Sequence, residues 1–139
     1  MTVQKRILLV DDDLHGREGL RDSLLSEGHL VETSADSLQA IRKIKEGKFD
    51  IAIIDLDLPP VHGLTVTAWD LARIFRAYNP AIFLIVVGAE EGKAVRAQAE
   101  QFKVSRFLVK PISPTQLKGI VRTLEPACEE CQGSGGGRR

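Results

Sequence analysis

The stretch "FDIAIIDLDLPPVHG", Phe49 to Gly63, decides how the rest of the chain is read. Four apolar residues, Ile51 to Ile54, run straight into Asp55. Asp55, Leu56, Asp57 and Leu58 then alternate once, and Pro59-Pro60 breaks the chain. A short apolar run bounded by such a break predicts a buried strand. A buried strand that stops on an acid either ends in solvent or holds a reactive carboxylate at the rim of a sheet.

Working outward, the same kind of run recurs. "RILLV" (6–10), "HLVETS" (29–34), "AIFLIVV" (81–87) and "RFLVK" (106–110) read as strands. Between them lie helical segments. In "LHGREGLRDSLLSEG" (14–28), Leu14, Leu20, Leu24 and Leu25 predict one apolar face, and Gly28 suits the C-terminal stop. Ser34 to Asp36 supplies a cap for a helix carrying Leu38, Ile41 and Ile44, which Gly47 ends. "LTVTAWDLARIFRAY" (64–78) places Leu64, Trp69, Leu71, Ile74 and Phe75 near helical spacing, and Asn79-Pro80 stops it. "EEGKAVRAQAEQF" (90–102) is an Ala-rich helix. "SPTQLKGIVRTL" (113–124) is a last helix, capped by Ser113 with Pro114 in its first turn.

This is strict strand–helix alternation, five times. Apolar strands between helices predict an α/β fold with a doubly wound parallel sheet covered on both faces. Sites in such folds form at the carboxyl ends of the strands. Those ends are Asp11-Asp12-Asp13, Asp55, Gly88-Ala89-Glu90 and Lys110-Pro111. Acids from two strands and a lysine from a third are expected to meet on one rim.

Composition sets the outer limits. The chain has 139 residues, about one domain, and needs no disulfide or metal to build a core. Lys plus Arg and Asp plus Glu each number 19, so no basic excess points to direct nucleic-acid binding. No apolar run approaches a membrane span of roughly 20 residues, and "MTVQKRILLVDDD" is too short in its apolar part for a signal peptide. A cytoplasmic protein with reduced thiols is expected. Cys128 and Cys131 form a CxxC, which serves either as a redox pair or as half of a metal site. There is no second pair, and His15, His29 and His62 are far away in sequence. Inert thiols in a flexible Gly-rich tail or linker remnant, 125–139, are the expectation, with the folded domain over 1–124.

In that order, "ILLVDDD", "IIDLDLPPVHG" and "FLVKPI" resemble the bacterial response-regulator receiver domain of two-component signalling, of the chemotaxis-regulator kind. The resemblance covers about residues 5 to 124 and implies a five-stranded, flavodoxin-like sheet in the order 2-1-3-4-5. It implies that Asp55 is the phosphoacceptor, loaded by a histidine kinase or a histidine phosphotransfer protein. It implies Mg²⁺ held by Asp11, Asp12, Asp55 and the backbone carbonyl of Asp57, with Lys110 contacting the phosphoryl group. Phe107 matches the switch aromatic and Gly63 the turn glycine after the phosphorylation loop. Output is expected as a population shift of the fourth helix, fifth strand and fifth helix. That face would bind a downstream protein or a second copy of the domain. No membrane partner and no catalytic turnover are implied beyond slow self-catalysed phosphorylation and dephosphorylation. The elementary chemistry agrees. Bringing a phosphoryl anion up to a carboxylate needs a hard cation on one side and a fixed positive charge on the other.

The sequence departs from the family's pattern at Gly88, where a Ser or Thr usually offers its hydroxyl to the phosphoryl group. The Ala89 backbone N–H is the donor left, and Gly88 predicts a flexible loop. A lost hydrogen bond to a charged group weakens phosphoryl-dependent closure by roughly 1.5–3 kcal/mol. Phe107 reads equally as a switch or as a core aromatic, and Asp57 either as a modulator of the site or as a solvated acid. Trp69 and Tyr78 read as a distinct surface or as extra core. Two rival functions remain at this point. One is a phosphorylation-independent pseudo-receiver module, favoured by Gly88. The other is a phosphatase resembling the haloacid dehalogenases, suggested by "IAIIDLDLP" but opposed by the early acidic pair and the short chain.

Overall fold

A computed structural model describes residues 3–124. The elements run β1 (Arg6–Val10), α1 (Leu14–Ser26), β2 (Leu30–Ser34), α2 (Ser37–Glu46), β3 (Ile51–Asp55), α3 (Ala68–Tyr78), β4 (Phe83–Gly88), α4 (Lys93–Gln101), β5 (Arg106–Val109) and α5 (Pro114–Thr123). All strand pairs are parallel and the sheet order is β2-β1-β3-β4-β5. The expected alternation and strand order are both present.

The strands' period of two divides the core between the sheet's faces. Leu8, Val10, Ala52, Ile54, Leu84 and Val86 point to one face, where Ile44 of α2 and Leu71 and Phe75 of α3 cover them. Ile7, Leu9, Ile51, Ile53, Ile85 and Val87 point to the other, under Leu20 and Leu24 of α1 and Leu117 and Val121 of α5. Each branched side chain buried this way contributes about 1.5–3 kcal/mol. All five residues of β3 are buried, so the strand that carries Asp55 is pinned on both faces.

The helix starts follow the side chains. Asp13, Asp36 and Ser113 each accept a backbone N–H at the helix they open. Thr67 and Asp70 form a capping box at α3.

Three expectations are corrected. Leu14 and Leu25 are 49% and 45% exposed, so the inward stripe of α1 passes through Gly16, Leu20 and Leu24 instead. Leu64 lies outside α3, in a tight turn where Val61 and Leu64 exchange backbone hydrogen bonds of 2.9 Å. The turn's central residues, His62 and Gly63, both have positive φ, which directs the chain away from helix. Gly88 is no flexible loop residue: it is buried, ends β4, and its carbonyl accepts the Lys110 N–H at 2.9 Å. Trp69 is core, stacked on Phe102 at 6.0 Å between centroids, whereas Tyr78 is exposed. The CxxC and the tail expectation fall outside the described residues.

Candidate phosphoacceptor site

Asp55 ends β3 and is only 3% exposed. Two donors fix its carboxylate. Asp57 N–H donates to Oδ1 at 2.9 Å, and Lys110 Nζ donates to Oδ2 at 3.0 Å. Asp11 and Asp12 follow β1, which pairs directly with β3, so the register brings the three acids together. One carboxylate oxygen from each of Asp11, Asp12 and Asp55 lies within 4.8 Å of the others. Asp11 is fixed in turn: its Oδ1 accepts the Asp13 N–H at 2.9 Å, and its backbone carbonyl accepts Arg17 Nη1 at 2.7 Å.

The electrostatics follow from this crowding. Like charges at such separations repel by about 3 kcal/mol at an effective dielectric near 20. Burial raises the Asp11 pKa; the Asp13 N–H opposes this, and the charge of Asp55 adds to it, leaving the group above its ordinary value. Burial pulls Lys110 down, but its hydrogen bond to Asp55 and the charges of Asp55, Asp11 and Asp57 outweigh that and raise it. Lys110 is therefore a fixed cation, while the three acids together carry more negative charge than it offsets. Three converging carboxylate oxygens are the donor set a hard divalent cation takes, so the residues fit Mg²⁺.

Gly88, Ala89 and Phe107 border the same rim. A Cβ at Gly88 would lie 3.0 Å from both Leu56 Cδ2 and Phe107 Cζ. Leu56 and Phe107 thus fill the volume a larger residue at position 88 would need. Phe107 packs against the α2–α3 side of the core. Ala89 is exposed at the mouth, as is Asp57. Sequence reasoning missed Arg17, which anchors Asp11 through its carbonyl, and Leu56, which closes on Gly88. Arg17 stands one helical turn after Asp13, a spacing visible in the sequence. Nothing local marks Leu56.

The comparisons with known proteins identify the family and the fold. Residues 7–122 match the family described as the response regulator receiver domain. A five-stranded parallel sheet with acids at the ends of β1 and β3 and a lysine after β5 defines that class. The chain belongs to the response-regulator receiver domain family. It is 30% identical over 122 residues to the transcriptional regulatory protein CusR of Escherichia coli K12, covering 86% of this chain and 50% of the relative. The chain thus spans about half the length of the curated relatives it matches. A CheY-like receiver domain protein from Methanospirillum hungatei superposes with a TM-score of 0.75 at 25% identity, covering 86% of this chain and 91% of that one. The receiver domain of sensor histidine kinase PA1611 from Pseudomonas aeruginosa, solved with a magnesium ion coordinated in its active site cleft, gives a TM-score of 0.73 at 24% identity. It covers 88% of this chain and 98% of that one. Among the described residues, no helix is long and apolar enough to cross a membrane.

Proposed function

We propose that the domain accepts a phosphoryl group on Asp55 from a phosphohistidine of a kinase or phosphotransfer protein. The observation that carries this reading is the buried Asp55 carboxylate, held by Lys110 at 3.0 Å inside the Asp11–Asp12–Asp55 cluster. In the step, an Asp55 oxygen forms a bond to phosphorus as the donor's bond to phosphorus breaks and the leaving group keeps that electron pair. Asp55 becomes a mixed anhydride and loses its negative charge. Lys110 then has its strongest partner in the phosphoryl oxygens, so its Nζ transfers its hydrogen bond to them. Mg²⁺ at Asp11, Asp12, Asp55 and the Asp57 carbonyl would supply charge neutralisation and orientation. The Ala89 N–H is the donor proposed for the phosphoryl oxygen that lacks a hydroxyl at Gly88.

The reading makes the chain a stoichiometric switch and places it in the cytoplasm with its kinase. Output is proposed through α4, β5 and α5, to a protein target or a second copy. Two features support that face: α4 fully buries no residue, and Val109 on the edge strand β5 is 46% exposed. A second reading, a pseudo-receiver that binds partners without phosphorylation, draws on one feature. Leu56 and Phe107 already occupy the space beside Gly88.

Intact mass after incubation with acetyl phosphate and Mg²⁺ separates the two. The receiver gains one phosphoryl mass, loses that gain with chelator, and shows none in Asp55→Ala. No gain with either acetyl phosphate or phosphoramidate overturns the reading for small donors and leaves the pseudo-receiver in front.

A further inference from the structure

A cleft of about 600 Å³ runs from the acidic rim down beneath the first turns of α1. Its floor is Leu9, Ile53 and Val87 of the sheet, and its far wall includes Ile112. Its near wall is Gly16, Gly19 and Leu20 of α1. Gly16 lies four residues before Leu20, which lies four before Leu24, so a glycine stands where the buried stripe of the helix would carry a large side chain. Neither Gly16 nor Gly19 has a positive φ, so no backbone conformation requires them. Glycine is a poorer helix former than alanine. The room is at Gly19, which is exposed and where a Cβ would meet no atom within 4 Å; at Gly16 the Asp13 carboxylate takes it.

The mouth is acidic. Asp11, Asp13 and Asp55 face it against one lysine, Lys110, which is already paired with Asp55. A Cβ at Gly16 would lie 2.9 Å from Asp13 Oδ2 and 3.9 Å from Asp11 Oδ2, so two carboxylate oxygens hang over the top of the apolar wall. Asp13 is outside the proposed metal set. An apolar cavity of this size with a few convergent polar groups is the usual form of a small-molecule site. We infer that this cleft binds a small organic cation, an apolar aryl or branched-alkyl body carrying one ammonium group. The body lies against Gly16, Gly19 and Ile112, above the buried Leu9, Ile53 and Val87 of the sheet, and the ammonium faces Asp13 and Asp11. Binding there needs no phosphorylation, and the ammonium shares Asp11 with the proposed metal.

The test is an amide-shift titration of the whole chain with 2-phenylethylammonium in Mg²⁺-free buffer, so that it stands or falls apart from phosphoryl transfer. Saturable shifts at Gly16, Gly19 and Ala89 are expected. Gly19→Leu fills the cleft and should weaken binding at least tenfold, with a native spectrum. Asp13→Asn keeps the helix cap but removes a charge, and should weaken binding roughly threefold. The matched neutral 2-phenylethanol should bind roughly threefold more weakly than the amine. Absence of saturable shifts overturns the site. Equal binding by Gly19→Leu overturns the cleft as its location. Equal binding by 2-phenylethanol, or by Asp13→Asn should Gly19→Leu not fold, overturns the cationic class.

Discussion

The two ends of the sheet handle polar groups in opposite ways. At the amino end, side chains satisfy main chain. His29 Nδ1 accepts the Lys5 N–H, Asp50 accepts the Arg6 N–H, Asn79 accepts the Phe49 N–H, and the buried Lys5 ammonium donates to the Val121 carbonyl at the end of α5. At the carboxyl end, the side chains of Asp11, Asp12, Asp55 and Lys110 crowd one another. The first arrangement removes orphan donors and ties chain ends together, which is stability. The second keeps like charges close at an energetic cost, which is the signature of a functional site. Damage at the two ends should therefore read out differently.

The largest expected effect is at the amino end. Asn79→Ala strands the buried Phe49 N–H and should lower the unfolding free energy by about 1–3 kcal/mol in urea titrations, while the folded fraction still takes up phosphate. Loss of uptake in the folded fraction would break the division between the ends. Gly88→Ser should cost about 1 kcal/mol, because its Cβ meets the side-chain ends of Leu56 and Phe107 at 3.0 Å. Shortening Phe107 to Leu in the same chain should recover part of that loss, a double-mutant coupling that an unconnected pair would not show. Asp11→Asn should go the other way. It keeps the hydrogen bond from Asp13 but removes one of the crowded charges, gaining about 1 kcal/mol while abolishing stabilisation by added Mg²⁺. A loss of stability there would mean that the acids are structural. The smallest effect is pH-dependent. Burial first, then the charge of Lys5, holds the folded His29 pKa below its ordinary value. From about pH 7 down to 5 the unfolded chain binds a proton that the folded chain refuses, so stability falls with acidification. His29→Asn should flatten that slope.

How legible each end was in the sequence follows from the same contrast. The carboxyl end could be read early because strands that stop on acids or on Lys-Pro carry their signal locally, and parallel topology gathers strand ends. The caps at Asp36, Asn79 and Ser113 were legible for the same reason. The amino end was not: Lys5 reads as a solvated charge, and its burial depends on the end of α5, 116 residues away. Leu14 and Leu25 were misread because counting leucines assigns them to one face, whereas Gly16, which holds the inward position one turn before Leu20, carries no hydrophobic signal. The crowding at Gly88 was invisible because its neighbours arrive from β5 and the loop after β3.

The pairing of β1 has a kinetic consequence. The strand sits between β2 and β3, with Arg6 beside Leu30 and Ile7 beside Ile51. Every contact in this sheet waits on a long crossover, which places the domain among slower folders than helical bundles. The extra chain needed to reach β3 instead of β2 adds only about 0.6 kcal/mol of loop closure. β3 is buried along its whole length, whereas β2 buries only Ser34. Apolar content therefore outweighs proximity. The β1–β3–β4 centre is expected to hold its amide protons longest in hydrogen exchange, and β2 to lose them sooner.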